Sequence, residues 1–137
     1  MLAMIESPAN PGPLAYVDRG GKRSVKMVSC VIRIEKLDEV IESLNKLNLV
    51  GGMMIADVRG LGSRESGSEL YRGPKYVMSF VPKVKIELVI EADDVKQVEE
   101  LISELARTGE LGDGKIFILN VVDLLRIRTG EKGVSAL

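Results

Sequence analysis

The chain carries a strand–helix–strand pattern twice in succession, and this order restricts its fold more than any single motif does. Short apolar segments typical of β-strands lie at residues 27–34, 53–59, 81–90 and 115–122. After the first and the third of these segments, apolar residues recur at the spacing of an amphipathic helix, at residues 36–48 and 95–105. The order βαββαβ predicts an α+β ferredoxin-like sandwich, in which two helices cover one face of a four-stranded sheet.

The last strand segment predicts that the protein assembles, because this segment is apolar on both faces. Ile116 and Ile118 would point to one side of the sheet, and Phe117, Leu119 and Val121 to the other. Since two helices cover only one face, the second apolar face must be buried against something else. We expect a homo-oligomer to bury it.

The composition excludes several classes of function. A length of 137 residues suits one domain, and the net charge of −1 argues against a nucleic-acid-binding protein. The chain has no His, and its single cysteine, Cys30, fits a core thiol better than a nucleophile because no base accompanies it. No apolar run of about 18 residues is present. We therefore expect a cytoplasmic protein with no direct membrane insertion.

Two segments differ in character from the strands and helices. Residues 1–26 hold three of the five prolines and lack an apolar leader, so we expect a poorly ordered N-terminal extension before a domain over residues 27–137. Residues 60–79 hold four glycines and mixed charges. This second segment predicts a long exposed loop, which is usually either functional or a tolerated insertion.

A glycine-rich run at residues 108–115, TGELGDGK, is the main candidate for a binding motif. The spacing of Gly109, Gly114 and Lys115 matches a P-loop. However, Ile116 replaces the Mg²⁺-binding Ser or Thr, and the run joins a helix to a strand, which is the reverse of the P-loop order. Glycine-rich turns can still direct backbone N–H groups at an anion. The alternative is a helix end at Gly109 followed by a tight turn.

Two arginines lie downstream of this run. On an extended segment Arg126 and Arg128 would point the same way, and paired guanidinium groups suit a phosphate. A solvated basic strand end explains the pair equally well.

Four segments together resemble the PII signal-transduction family, the small sensors of nitrogen status. The segments are residues 108–119 (TGELGDGKIFIL), 126–131 (RIRTGE), 82–87 (PKVKIE) and 36–40 (KLDEV). The resemblance covers residues 27–137 and implies a homotrimer of ferredoxin-like subunits. It further implies that ATP and ADP compete for clefts between subunits.

The resemblance also implies roles for individual residues. The phosphate-binding B-loop, residues 108–115, would use Gly112, Asp113, Gly114 and Lys115. Arg126 and Arg128, in a C-terminal loop over residues 123–137, would reach the phosphates. Gly60 and Gly62 would lie at the base of a mobile T-loop, about residues 60–80, that docks on ammonium channels or enzymes of nitrogen metabolism. Arg72 matches an arginine that plugs a channel, and Tyr76 matches a tyrosine that is nucleotidylated in some bacteria.

The chain departs from the family pattern in the T-loop. Arg64 stands where the family has a glutamine that ligates the Mg²⁺ holding 2-oxoglutarate, and a guanidinium has no acceptor for a cation. Lys83, which matches the lysine that pairs with the 2-oxoglutarate carboxylate, is retained. We therefore expect weakened or absent Mg-ATP-dependent binding of 2-oxoglutarate, with Arg64 contacting a phosphate or another anion instead. Pro74 and Lys75 replace a small residue and an acid before Tyr76, which makes its modification doubtful.

The sequence thus predicts a regulatory binding protein of nitrogen metabolism, with ATP and ADP as ligands. A divergent regulator of another pathway or transporter, with a different small effector, is the alternative. An enzyme is disfavoured because no persuasive general base accompanies the motif. An RNA-binding module is disfavoured because the strands offer few aromatic side chains for stacking.

Overall fold

The computed structural model describes residues 3–4, 16–17, 24–49, 51–61 and 80–137. Strands β1 (Ala3–Met4) and β2 (Tyr16–Val17) form a short antiparallel pair. The main sheet consists of β3 (Val25–Ile32), β4 (Met53–Gly60), β5 (Val81–Glu91) and β6 (Gly114–Val121), all antiparallel, in the order β4-β5-β3-β6. Helices α1 (Leu37–Lys46) and α2 (Val95–Ala106) join β3 to β4 and β5 to β6. This arrangement confirms the α+β ferredoxin-like fold.

The core lies between the two helices and one face of the sheet. Alternate residues of β3 and β5 are buried there, and the apolar stripes of the helices cover them. The main contributors are Val28, Cys30, Ile32, Val84, Ile86, Leu88 and Ile90 from the sheet and Val40, Leu44, Val98, Ile102 and Ala106 from the helices. No helix in the described ranges is long and apolar enough to cross a membrane.

The boundaries of several elements differ from those that the sequence predicted. Strand β3 begins at Val25, where the buried Val25 side chain lies opposite Glu91 and Val121. The main sheet therefore starts two residues before the predicted domain boundary at residue 27. Each helix is preceded by a 3₁₀ turn, and Asp94 takes the N-cap position of α2 without a side-chain capping bond.

The other face of the main sheet is exposed and apolar in β6, as the two-sided pattern predicted. Phe117 is 51% exposed and Leu119 is 45% exposed. They lie opposite Ser29 and Met27 of β3, on the face away from the helices. A contiguous apolar surface of this kind usually marks an interface.

Candidate functional site

The site is built on the loop between α2 and β6, residues 107–113, whose backbone depends on glycines. The backbone of Arg107, directly after α2, is already extended. Gly109 has φ +89° and lies two residues further on, so the helix ends before Gly109 and not at it as the sequence had suggested. Gly112 and Gly114 also have positive φ, at +99° and +104°. A Cβ on Gly114 would lie 1.7 Å from the backbone oxygen of Val31, so only glycine lets β6 join β3 at this point.

The Asp113 carboxylate is surrounded by hydrogen-bond donors from the same loop. Its Oδ2 accepts bonds from the backbone N–H groups of Thr108 and Gly109, each at 2.8 Å. Its Oδ1 accepts a bond from the Thr108 hydroxyl. These bonds, chiefly those from Thr108, hold the pKa of Asp113 well below its usual range. The carboxylate is therefore charged and faces the loop's own N–H groups.

Two cations from neighbouring strands also contact this loop. Arg33, just after β3, donates to Asp113 Oδ1 at 3.1 Å and to the Leu111 carbonyl at 2.7 Å. Lys83 of β5, the predicted effector-binding residue, donates to the Gly112 carbonyl. The sequence analysis did not identify Arg33, because a lone arginine after a strand belongs to no motif. Its only signal was its place at the end of β3, which is the edge where the loop meets the sheet.

The loop leaves several donors available to a ligand. In the described part of the chain, the backbone N–H groups of Leu111 and Gly112, which form a turn, have no hydrogen-bond acceptor. Lys115 is exposed and forms no ion pair with any described residue. Consecutive free N–H groups beside a lysine form a concave positive site that suits an anion. An open cleft of about 530 Å³, lined by Asp113, Gly114 and Lys115 together with α2, adjoins the loop.

The C-terminal arginines are arranged differently from the prediction. They do not lie on an extended segment: residues 126–131 form a turn closed by bonds from Arg126 N–H to the Glu131 carbonyl and from Gly130 N–H to the Arg126 carbonyl. The Arg126 guanidinium donates to the Glu131 carboxylate at 3.1 Å and to the backbone oxygen of Leu137. Arg128 is exposed. Within one chain, neither arginine forms a described contact with the loop at residues 107–113.

The predicted T-loop is described only at its two ends. Gly60 ends β4 opposite Val81, and the Arg59 guanidinium lies 5.8 Å from the centre of the Phe80 ring. These contacts bring the two ends of the T-loop together. The other predicted residues of this loop, Gly62, Arg64, Arg72 and Tyr76, lie outside the described residues. In the described ranges, no group of three or more His, Cys, Asp or Glu side chains is placed to hold a metal ion.

Comparison with known proteins decides the family. The family model for nitrogen regulatory protein P-II matches residues 25–131. The chain belongs to the P-II family. Nitrogen regulatory protein P-II 1 of Methanothermobacter thermautotrophicus is 42% identical over 115 residues, covering 84% of this chain and 99% of that protein. Nitrogen regulatory protein P-II of Rhizobium meliloti is 43% identical, covering 82% of this chain and all of that protein.

Solved P-II structures share the fold of this chain. Arabidopsis thaliana PII bound to citrate is 38% identical, with a TM-score of 0.66, over 85% of this chain and 94% of that one. The GlnK–ATP complex of B. subtilis is 28% identical, with a TM-score of 0.69, over 83% of this chain and 96% of that one. Because its relatives are nitrogen regulatory proteins, the prediction of a regulator and not an enzyme is confirmed. The alternative of a regulator of another pathway is not favoured.

Proposed function

We propose that this P-II protein is a homotrimeric regulator of nitrogen metabolism that senses ATP and ADP at the loop between α2 and β6. The observation that carries the proposal is the pair of unpartnered N–H groups of Leu111 and Gly112 beside Lys115. These N–H groups and the Lys115 ammonium would donate hydrogen bonds to the oxygens of a terminal phosphate. The B. subtilis relative is a complex with ATP, which supports an adenine nucleotide as the ligand.

The proposed phosphate site uses Gly112, Gly114 and Lys115 of one subunit, with Asp113 as part of the loop. Arg126 and Arg128 would come from a neighbouring subunit, because within one chain they form no described contact with the loop. The exposed apolar face of β6 supports such an assembly. Gly60, Gly62 and Arg64, at the base of the T-loop, would complete the site.

The proposed signal is the difference of one phosphate between ATP and ADP. A ligand shifts a conformational equilibrium only if it binds the two states with different affinity. The T-loop begins at Gly60 and ends at Phe80, and Lys83 of β5 lies beside Gly60, since a Cβ on Gly60 would lie 3.7 Å from Lys83 Cγ. Nucleotide occupancy would therefore change the T-loop conformation, and Arg72 and Tyr76 would carry that change to an ammonium channel or an enzyme of nitrogen metabolism.

We further propose that Lys83 and Arg33 form the cationic part of an effector site for a small carboxylate. Both side chains converge on the carbonyls at residues 111–112, and the Arabidopsis relative is bound to citrate. Arg64 lacks the acceptor that Mg²⁺ needs. The response to 2-oxoglutarate would therefore be weak, and a Mg²⁺ ion accompanying the nucleotide would need ligands other than Arg64.

Calorimetric titration of the full chain with ATP, ADP and AMP, with and without Mg²⁺ and 2-oxoglutarate, tests the nucleotide site. We expect saturable binding of ATP and ADP, and at least about tenfold weaker binding by the Lys115→Gln variant, since a charge-assisted hydrogen bond is lost. Lys46→Gln removes the same charge from the end of α1 and should leave affinity unchanged. Failure of the wild-type protein to bind either nucleotide would refute the proposed nucleotide site. Tight Mg-ATP-dependent binding of 2-oxoglutarate would refute the proposal of a weak response to 2-oxoglutarate.

A further inference from the structure

We propose that Asp113 is a positioning residue of the nucleotide loop, which shapes the loop for phosphate without itself contacting the ligand. This inference rests on the proposed nucleotide site and adds a role that the motif alone does not give. The motif places Asp113 among the binding residues, beside Gly112 and Lys115. Its hydrogen bonds, however, point into the loop.

The bonds of Asp113 close the loop from within. The carboxylate joins the first part of the loop, through the N–H groups of Thr108 and Gly109, to the last part, where Asp113 itself precedes β6. The Thr108 hydroxyl, which donates to Asp113, in turn accepts a bond from Glu110 N–H at 3.2 Å. The carboxylate thus satisfies the donors at residues 108 and 109, and the N–H groups of Leu111 and Gly112 are the ones left for a ligand.

Arg33 fixes the outer side of the same carboxylate. Its Nε donates to Asp113 Oδ1 and its terminal nitrogen donates to the Leu111 carbonyl, so one guanidinium holds both a side chain and the backbone of the loop. A Cβ on Gly112 would lie 3.3 Å from that terminal nitrogen. The tight packing of Arg33 against the loop leaves the Asp113 oxygens directed at Arg33, Thr108 and Gly109.

A carboxylate and a phosphate are both negatively charged and repel each other. Removal of the Asp113 charge therefore distinguishes a repulsive effect on the ligand from a positioning effect on the loop. If the charge of Asp113 acted only by repulsion, its removal would tighten nucleotide binding. If Asp113 positions the loop, its removal frees the N–H groups of Thr108 and Gly109 and the Arg33 guanidinium, and binding weakens. Asp113→Asn keeps the size of the side chain but has one acceptor oxygen in place of two, so the bonds at one of the two carboxylate oxygens are lost and an NH₂ group faces their donors.

Glu110→Gln is the matched control. It removes the same unit of charge from the same loop, and the Glu110 side chain forms no hydrogen bond or ion pair with any described residue. Calorimetry with ATP on the full-length trimer should show about tenfold weaker binding or more for Asp113→Asn, as expected for loss of hydrogen bonds to a charged group. Glu110→Gln should bind as tightly as the wild type or slightly more tightly. Equal or tighter binding by Asp113→Asn would overturn the inference.

A second measurement separates this inference from the nucleotide site itself. Without nucleotide, amide hydrogen exchange at Thr108 and Gly109 should be faster in Asp113→Ala, which removes both acceptor oxygens, than in the wild type, and unchanged in Glu110→Gln. If the wild type does not bind ATP but exchange accelerates as expected, the nucleotide site is wrong and the positioning of the loop by Asp113 stands. Exchange equal in all three proteins would overturn the positioning role. Titration of Asp113→Asn with AMP is a further comparison, because loss of phosphate positioning should weaken ATP binding more than AMP binding.

Discussion

Gly114→Ala tests whether the start of β6 fixes the loop by close contact with β3. An added Cβ would lie 1.7 Å from the Val31 backbone oxygen and 2.8 Å from its carbonyl carbon, and both atoms belong to the centre of the sheet. The backbone at Gly114 also has φ +104°, a conformation that costs an L-residue about 1–2 kcal/mol. Alanine would therefore force β6 away from β3 and break ladder bonds worth about 1 kcal/mol each. We expect Gly114→Ala to lower the free energy of unfolding by at least about 3 kcal/mol.

Substitutions at two other glycines separate the cost of steric overlap from the cost of the backbone conformation. Gly109 has φ +89° in the same loop, with no atom within 4 Å of an added Cβ, so Gly109→Ala should cost only the conformational term of about 1–2 kcal/mol. Gly52 has neither a positive φ nor a neighbour within 4 Å, so Gly52→Ala should change stability by less than about 0.5 kcal/mol.

Urea unfolding of the three variants, at one protein concentration, measures these differences. The expected order of destabilisation is Gly114→Ala, then Gly109→Ala, then Gly52→Ala. A Gly114→Ala protein as stable as Gly109→Ala would refute the claim that the Val31 carbonyl excludes a side chain.

Phe117→Lys should dissociate the assembly in analytical ultracentrifugation, because Phe117 is on the exposed apolar face of the sheet. Glu104→Lys, on the outer side of α2, is the control, and an intact oligomer with Phe117→Lys would contradict the proposed interface. Burial raises the pKa of Cys30 to about 11, so a thiol reagent near pH 8 should label Cys30 only after unfolding, and rapid labelling of the native protein would contradict its burial. Bonds from Thr108 lower the pKa of Asp113, so its stabilising effect is complete above the ordinary value of about 3.9 and is lost only at lower pH. The Thr108 amide resonance should therefore not shift as the pH falls through about 4, and a transition there would contradict the bonding of Asp113.

The sequence predicted the order of the main strands and helices well, because each buried strand face has a clear apolar period. The alternation of Val84, Ile86, Leu88 and Ile90 matched their burial. The ends of elements were less predictable. Val25 was assigned to the N-terminal extension because the prolines and glycines of residues 1–26 set that segment apart, although its burial opposite Glu91 and Val121 makes it part of β3.

The site could be predicted in part, because its glycines and Lys115 are contiguous in the chain. Arg33 and Lys83 converge on the same loop from 78 and 29 residues away, and no local pattern reports such contacts. The prediction that Arg126 and Arg128 point the same way was wrong because it treated their segment as extended. The Thr129-Gly130 pair instead supports a turn, with Gly130 at φ +76°.

The central claim is that the backbone N–H groups of Leu111 and Gly112 bind the phosphates of ATP. The most direct measurement is a titration followed through the backbone amide resonances of Leu111 and Gly112 in the full-length protein. We predict large, saturable shifts of these resonances with ATP, smaller shifts with AMP and none with adenosine. Saturable ATP binding that leaves both amide resonances unchanged would contradict the claim.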